Sequence, residues 1–164
     1  MKLLVVRHAK AEDQAAGQPD NARILTGSGR QTARQIGRAL KHLLPRVDLL
    51  VASPYVRAHE TAKHIARAYN KLEVTPLPDL RPGATPGAVL AWLQEQSHDA
   101  VIVMVGHEPD SSGIASWLLT GDTRSILAFK KGAACLITFD DRPAAASGQL
   151  EWFVPPRLLR GSGR

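Results

Sequence analysis

Leu3-Leu4-Val5-Val6-Arg7-His8-Ala9 is the stretch on which the reading of this chain turns. An apolar run that stops at an Arg-His pair has the form of a buried strand delivering two polar side chains to one edge of a fold. Two later runs repeat the form: Leu49-Leu50-Val51-Ala52 leads into Ser53-Pro54, and Val101-Ile102-Val103-Met104-Val105 leads into Gly106-His107. Chemistry is to be sought where these runs end.

Between the runs the pattern changes to helical spacing. Residues 28 to 44 place Ala33, Ile36, Leu40, Leu43 and Leu44 on one face, and Pro45 ends that helix. Ser53 followed by Pro54 predicts an N-cap and first helical position for a second helix, which buries Ala58, Ala62, Ile65, Ala66 and Tyr69. A short extended stretch, Glu73 to Leu77, passes through a Pro/Gly-rich loop into a helix carrying Val89, Leu90 and Leu93. Asp110 is placed to cap a further helix with Ile114, Trp117 and Leu118, ending at Gly121. Residues 133 to 139 and 149 to 154 predict a closing pair of strands, and the chain after Pro156 is expected to fray.

Strands separated by helices predict an α/β fold, a single-domain three-layer sandwich with a mostly parallel central sheet and helices on both faces. The expected domain is 1–156, followed by a basic C-terminal tail at 157–164. In such sheets ligands bind beyond the carboxyl ends of the strands, which is where the polar pairs fall.

Composition narrows the classes. At 164 residues, 44% hydrophobic and 22% charged, the chain holds one domain with an ordinary core. The lone Cys135 lies between apolar neighbours and reads as a reduced, buried thiol. The first apolar run is too short for a signal peptide and nothing later approaches a membrane span, so a soluble, cytoplasmic protein without a membrane partner is expected. A net charge of +6 suggests an anionic partner, with phosphate, nucleic acid and an acidic protein surface all open. Arg30, Arg34, Arg38 and Lys41 form a basic stripe on the first helix, by default a solvated face. His59 and His64 stand five apart and do not share a helix face, so they are not read as a metal site. P-loop and dinucleotide glycine motifs are missing. Aromatic residues make up only 5% and form no reader motif, which argues against nucleic acid.

Arg7, His8, Arg57 and His107 at one sheet edge suit phosphoryl transfer. Arginine offers planar donors to phosphate oxygens, and a neutral imidazole can attack phosphorus and become phosphohistidine. A second histidine adds a donor for transition-state charge. Ser53 reads first as a helix cap and is kept as a candidate substrate contact, because the helix it opens points N–H groups at the same anion.

Arg7-His8 after the first strand, Ser53-Pro54-Tyr55-Val56-Arg57-Ala58 with Thr61-Ala62 beyond, and Gly106-His107 after a late strand together resemble the histidine phosphatase superfamily. Arg23-Ile24-Leu25-Thr26 with Gly29, Gly106-His107-Glu108-Pro109, and Lys131-Gly132-Ala133 are similar to its SixA-type phosphohistidine phosphatase branch. The resemblance implies that His8 is the nucleophile, that Arg7, Arg57 and His107 grip the phosphoryl group, that Arg23 is a further basic contact, and that neither metal nor organic cofactor is needed. Ala9 stands where the superfamily commonly has glycine, which requires only a backbone that any residue can adopt. Larger relatives use a carboxylate as proton donor, and Glu108 and Asp79 are the candidates here. A weak need for an acid favours the P–N bond of phosphohistidine, whose imidazole leaves readily.

With only fifty positions between Arg57 and His107 there is no space for a lid domain, and a shallow, exposed site is expected. The partner expected is a phosphohistidine-bearing protein, such as a histidine-containing phosphotransfer domain of a signalling relay. A phosphatase of the same mechanism acting on a small phosphorylated metabolite is one alternative. A non-catalytic basic module binding phosphate or nucleic acid is the other.

Overall fold

The apolar runs become strands β1 (Lys2–Arg7), β2 (Leu49–Ala52), β3 (Val74–Pro76), β4 (Val101–Gly106), β5 (Ala134–Thr138) and β6 (Gln149–Val154) in a computed structural model that describes residues 1–161. The helices are α1 (Gly27–Leu43), α2 (Val56–Ala66), α3 (Pro86–Gln94), α4 (Asp110–Thr120) and α5 (Pro156–Gly161). One sheet runs in the order β3-β2-β4-β1-β5-β6. Its first four members are parallel, while β5 and β6 form the antiparallel closing pair.

Strand residues alternate between two cores. Leu3, Val5, Ile102, Met104, Cys135 and Ile137 face α3 and α4, where Val89, Leu93, Ile114 and Leu118 cover them. Leu4, Val6, Leu50, Val103, Val105 and Leu136 face α1 and α2, where Ile36, Leu40, Ala58, Ala62 and Ile65 cover them. Burial on both faces is why these strands read as unbroken apolar runs. The sandwich is the α/β fold expected. Helices α1, α2 and α5 lie on one face and α3 and α4 on the other, and β4 inserts beside β1. That places the topological switch between β1 and β4, where Arg7 pairs with Gly106.

Four local expectations need correction. The turn Ser53-Pro54-Tyr55 precedes α2, whose N-cap is Tyr55 without a side-chain cap bond. Ser53 is fully buried, and its hydroxyl is spent inside the fold. Helix α4 has Pro109 as N-cap and Asp110 as its first residue; the carboxylate that caps its first turn is that of Glu108, which accepts the Ser112 N–H at 3.0 Å. Leu43 is exposed, and Leu44 takes the buried place at the end of α1. The domain also runs past Pro156: α5 packs on α1 through Leu159, which is 1% exposed. Burial of that side chain holds the first part of the expected frayed tail in place, and residues 162–164 lie outside those described.

Candidate active site

The ends of β1, β2 and β4 are level, so the residues just beyond them meet. The N–H of His8 donates to Gly106 O at 3.0 Å, and that of Ser53 to Val105 O at 3.0 Å. These bonds extend the parallel ladder by one residue and fix where His8, Ser53 and His107 leave the sheet. The His8 and His107 rings stand 5.1 Å apart.

His8 is held in one tautomer. Its Nδ1 is 2.7 Å from Ala9 O, an atom that can only accept, so Nδ1 carries the proton. Nε2 then has a lone pair, which accepts from Arg57 Nε at 3.3 Å. Burial, reinforced by the positive charge of Arg57 and Arg7, pushes the His8 pKa down to about 3 and keeps the ring neutral. The His8–Ala9 peptide is itself fixed: Ala9 N–H donates to Thr61 Oγ1 at 3.1 Å, and the Thr61 hydroxyl donates to Arg57 O at 2.7 Å. One turn of α2 thus aims both Arg57 and the imidazole. Ala9 does not adopt a positive φ, so no glycine is required there.

Arg57 also donates to Asp20, from Nη1 to the carbonyl at 2.8 Å and from Nη2 to Oδ2 at 2.9 Å. Asp20 was not marked by sequence patterning; the signal available was an acid in the polar loop three residues before Arg23. Arg23 donates from Nη1 to Asp20 Oδ1 at 2.9 Å and from Nε to Glu12 O. Arg23 therefore stands one layer out, joined to Arg57 through Asp20, rather than against His8. Its hydrogen bond, with that of Arg57, holds the Asp20 carboxyl below the usual carboxylate range.

His107 lies with Nε2 2.8 Å from Ser53 Oγ and packs against the edge of Tyr55. Burial first, then the charge of Arg57, lowers its pKa to about 4. Ser53 accordingly orients His107 and is shielded from a substrate. Arg7 donates from Nη1 to Phe129 O at 2.7 Å; its Nε and His107 Nδ1 are buried without a hydrogen-bond partner among the described residues. Arg7, His8, Arg57 and His107 are thus gathered at one place.

Of the two proposed proton donors, Glu108 lies near enough for its charge to reach Arg7: burial lowers the guanidinium pKa, and Glu108 works against that lowering. Both Glu108 oxygens are taken by Ser112, from its N–H and its hydroxyl, and Asp79 is exposed on the Pro78–Leu80 turn. The expected open site is also narrower than anticipated: His8, Arg57 and His107 are 7%, 6% and 2% exposed. The β1–α1 loop contributes by folding back to lay Asp20 on Arg57, and Tyr55 packs against His107.

Residues 3–82 match the model of the histidine phosphatase superfamily, branch 1. The phosphohistidine phosphatase SixA homolog of Haemophilus influenzae is 32% identical over 120 residues, covering 66% of this chain and 71% of that protein. Phosphohistidine phosphatase SixA of Escherichia coli is 27% identical, over 98% of this chain and 97% of its own. A solved structure of the protein histidine phosphatase SixA with tungstate superposes with a TM-score of 0.85 at 26% identity, covering 97% and 99% of the two chains. The chain belongs to the histidine phosphatase superfamily and is a phosphatase. Within that superfamily it is of the SixA type.

Proposed function

We propose that the chain hydrolyses phosphohistidine on a signalling protein through a covalent phospho-His8 intermediate. The observation that carries the reading is the His8 tautomer, whose unprotonated Nε2 faces Arg57. Nε2 attacks phosphorus as the P–N bond to the substrate imidazole breaks, and the departing imidazole takes up a proton from water. Water then attacks the phosphorus of phospho-His8, which releases inorganic phosphate and restores the ring. Arg7 and Arg57 neutralise the equatorial oxygens; with Nε2 of His107 paired to Ser53 Oγ, its Nδ1 is the nitrogen left to face the phosphoryl group.

The acid–base inventory supports the substrate class. Asp20, the carboxylate that the fold brings to Arg57, is held ionised and cannot donate a proton. Both Glu108 oxygens accept from Ser112, and Asp79 is exposed on the Pro78–Leu80 turn. A P–N bond tolerates that deficit, because imidazole leaves far more readily than an alkoxide. The relatives named phosphohistidine phosphatases and the tungstate complex, in which an oxyanion is bound, agree with this reading.

Incubating the protein and His8→Ala with a phosphohistidine protein, an aryl phosphate and an alkyl phosphate tests it. An acid-labile, alkali-stable phosphoenzyme is expected in the parent alone, with the alkyl phosphate far behind. An adduct that survives His8→Ala sinks the nucleophile, and equal efficiency on the alkyl phosphate sinks the substrate class.

A further inference from the structure

Beside the reaction centre lies a cavity of about 470 Å³ whose lysine charges the mechanism does not use. Four cationic side chains line it: Arg7 from the end of β1, Lys10 from the loop that follows, and Lys130 and Lys131 from the approach to β5. Ser28 and Thr32, on the first turns of α1, supply hydroxyls. Among the described residues no carboxylate enters the lining, and no ion pair or hydrogen bond engages the Lys10, Lys130 or Lys131 ammonium groups. Like charges drawn from separate segments make a local positive field that attracts an anion. Arg7 belongs to both spaces, so whatever sits in the cavity adjoins the phosphoryl group.

We propose that this cavity is an anion subsite of the phosphatase and that it holds carboxylate side chains of the protein carrying the phosphohistidine. The inference rests on the substrate reading above and adds which proteins are preferred: those with Asp or Glu next to the modified histidine. The chemistry of the lining favours that source. Lysine is a compact charge on a flexible stem with three rotatable donors, suited to carboxylates whose positions vary from one peptide to another. A fixed second phosphoryl group would be met better by planar arginine forks, and apart from Arg7 the lining has none. The lysines are exposed, as contact with another protein's surface requires.

Two peptides bearing the same phosphohistidine, one flanked by Asp and Glu and one by Ser and Gln, test the subsite. A preference of about tenfold in kcat/KM for the acidic peptide is expected, expressed in KM and shrinking as salt is raised. In the Lys10→Gln/Lys130→Gln/Lys131→Gln variant that ratio is expected to fall within about twofold of unity. A ratio near one in the parent, or a preference that survives the triple variant, overturns the subsite while leaving the phosphohistidine reading intact. A small bisphosphorylated sugar is the third arm: if it alone loses turnover in the variant, the anion comes from a metabolite and the protein source is overturned. If neither peptide is dephosphorylated while an aryl phosphate is, the substrate reading and the subsite fall together.

Discussion

Which nitrogen of His8 bears the proton decides whether this site can begin a reaction. The answer depends on Thr61, one turn beyond Arg57, which holds the His8–Ala9 peptide by accepting from Ala9 N–H. Thr61→Val keeps the shape and removes the hydroxyl. Phosphoenzyme formation is expected to slow by about tenfold or more with KM little changed, and Thr61→Ser to restore it. A full-rate Thr61→Val would show that the ring is aimed by other means. The low His8 pKa makes a second prediction. With its pKa near 3 the ring stays neutral through pH 5, so the rate of phosphoenzyme formation from an aryl phosphate, corrected for ionisation of the phosphate, is expected to show no acid limb near 6.5. A midpoint close to that of free histidine would contradict the buried, neutral nucleophile. Arg7, His8, Arg57 and His107 were legible in the sequence because each follows an apolar run or opens the helix after one. Asp20 and the true work of Ser53 were not, since both depend on partners 37 and 54 positions away.

Among the elements, the β1–α1 connection does most to shape the site. Its return path is tied down where Gly29, on the first turn of α1, lies against the backbone carbonyl of Lys10; a Cβ there would collide with that oxygen. Thr26 caps the same turn by accepting Gly29 N–H at 2.9 Å. Gly29→Ala is therefore expected to destabilise the protein by about 1–3 kcal/mol and to lower activity beyond what the stability loss explains, because Lys10 leads directly from the reacting pair. Urea midpoints and aryl phosphate turnover measure the two effects; unchanged values for both would mean that the loop moves freely. The basic stripe on α1 is divided by the fold. Arg30 donates to Leu25 O and Lys41 to Pro45 O, while Arg34 and Arg38 line a surface cleft with Arg67 and His64. Helical spacing revealed the stripe; which of its members were already occupied depended on the ends of the helix.

For the whole molecule, buried histidines tie stability to pH. Burial lowers the pKa of His8 to about 3 and of His107 to about 4, and it also lowers those of His59 and His64. Below about pH 6.5 the unfolded chain takes up protons that the folded chain refuses. Stability is thus full above that value and falls as the pH drops toward 4, by about 1.4 kcal/mol per pH unit for each histidine that stays neutral. Denaturant midpoints at pH 7.5, 6 and 5 should show the decline, and His8→Asn/His107→Asn should flatten it. A midpoint independent of pH would mean that these rings are hydrated in solution.

The division between what could be read and what had to be seen follows from the range of the forces. Apolar period, helix spacing and turn residues act over a few positions, so the sequence by itself determined the α/β class, the strands and helices, and the polar residues at the strand ends. Strand order, the two-sided core and the docking of α5 through Leu159 depend on contacts between distant segments. The stretch from Leu3 to Ala9 marked Arg7 and His8 as chemical residues. Only the tertiary structure decided that Nδ1 of His8 is the protonated nitrogen, that Asp20 engages Arg57, and that the Glu108 carboxylate caps the first turn of α4. Hydrogen bonds act over about 3 Å, and a linear sequence does not say which of its atoms come that close.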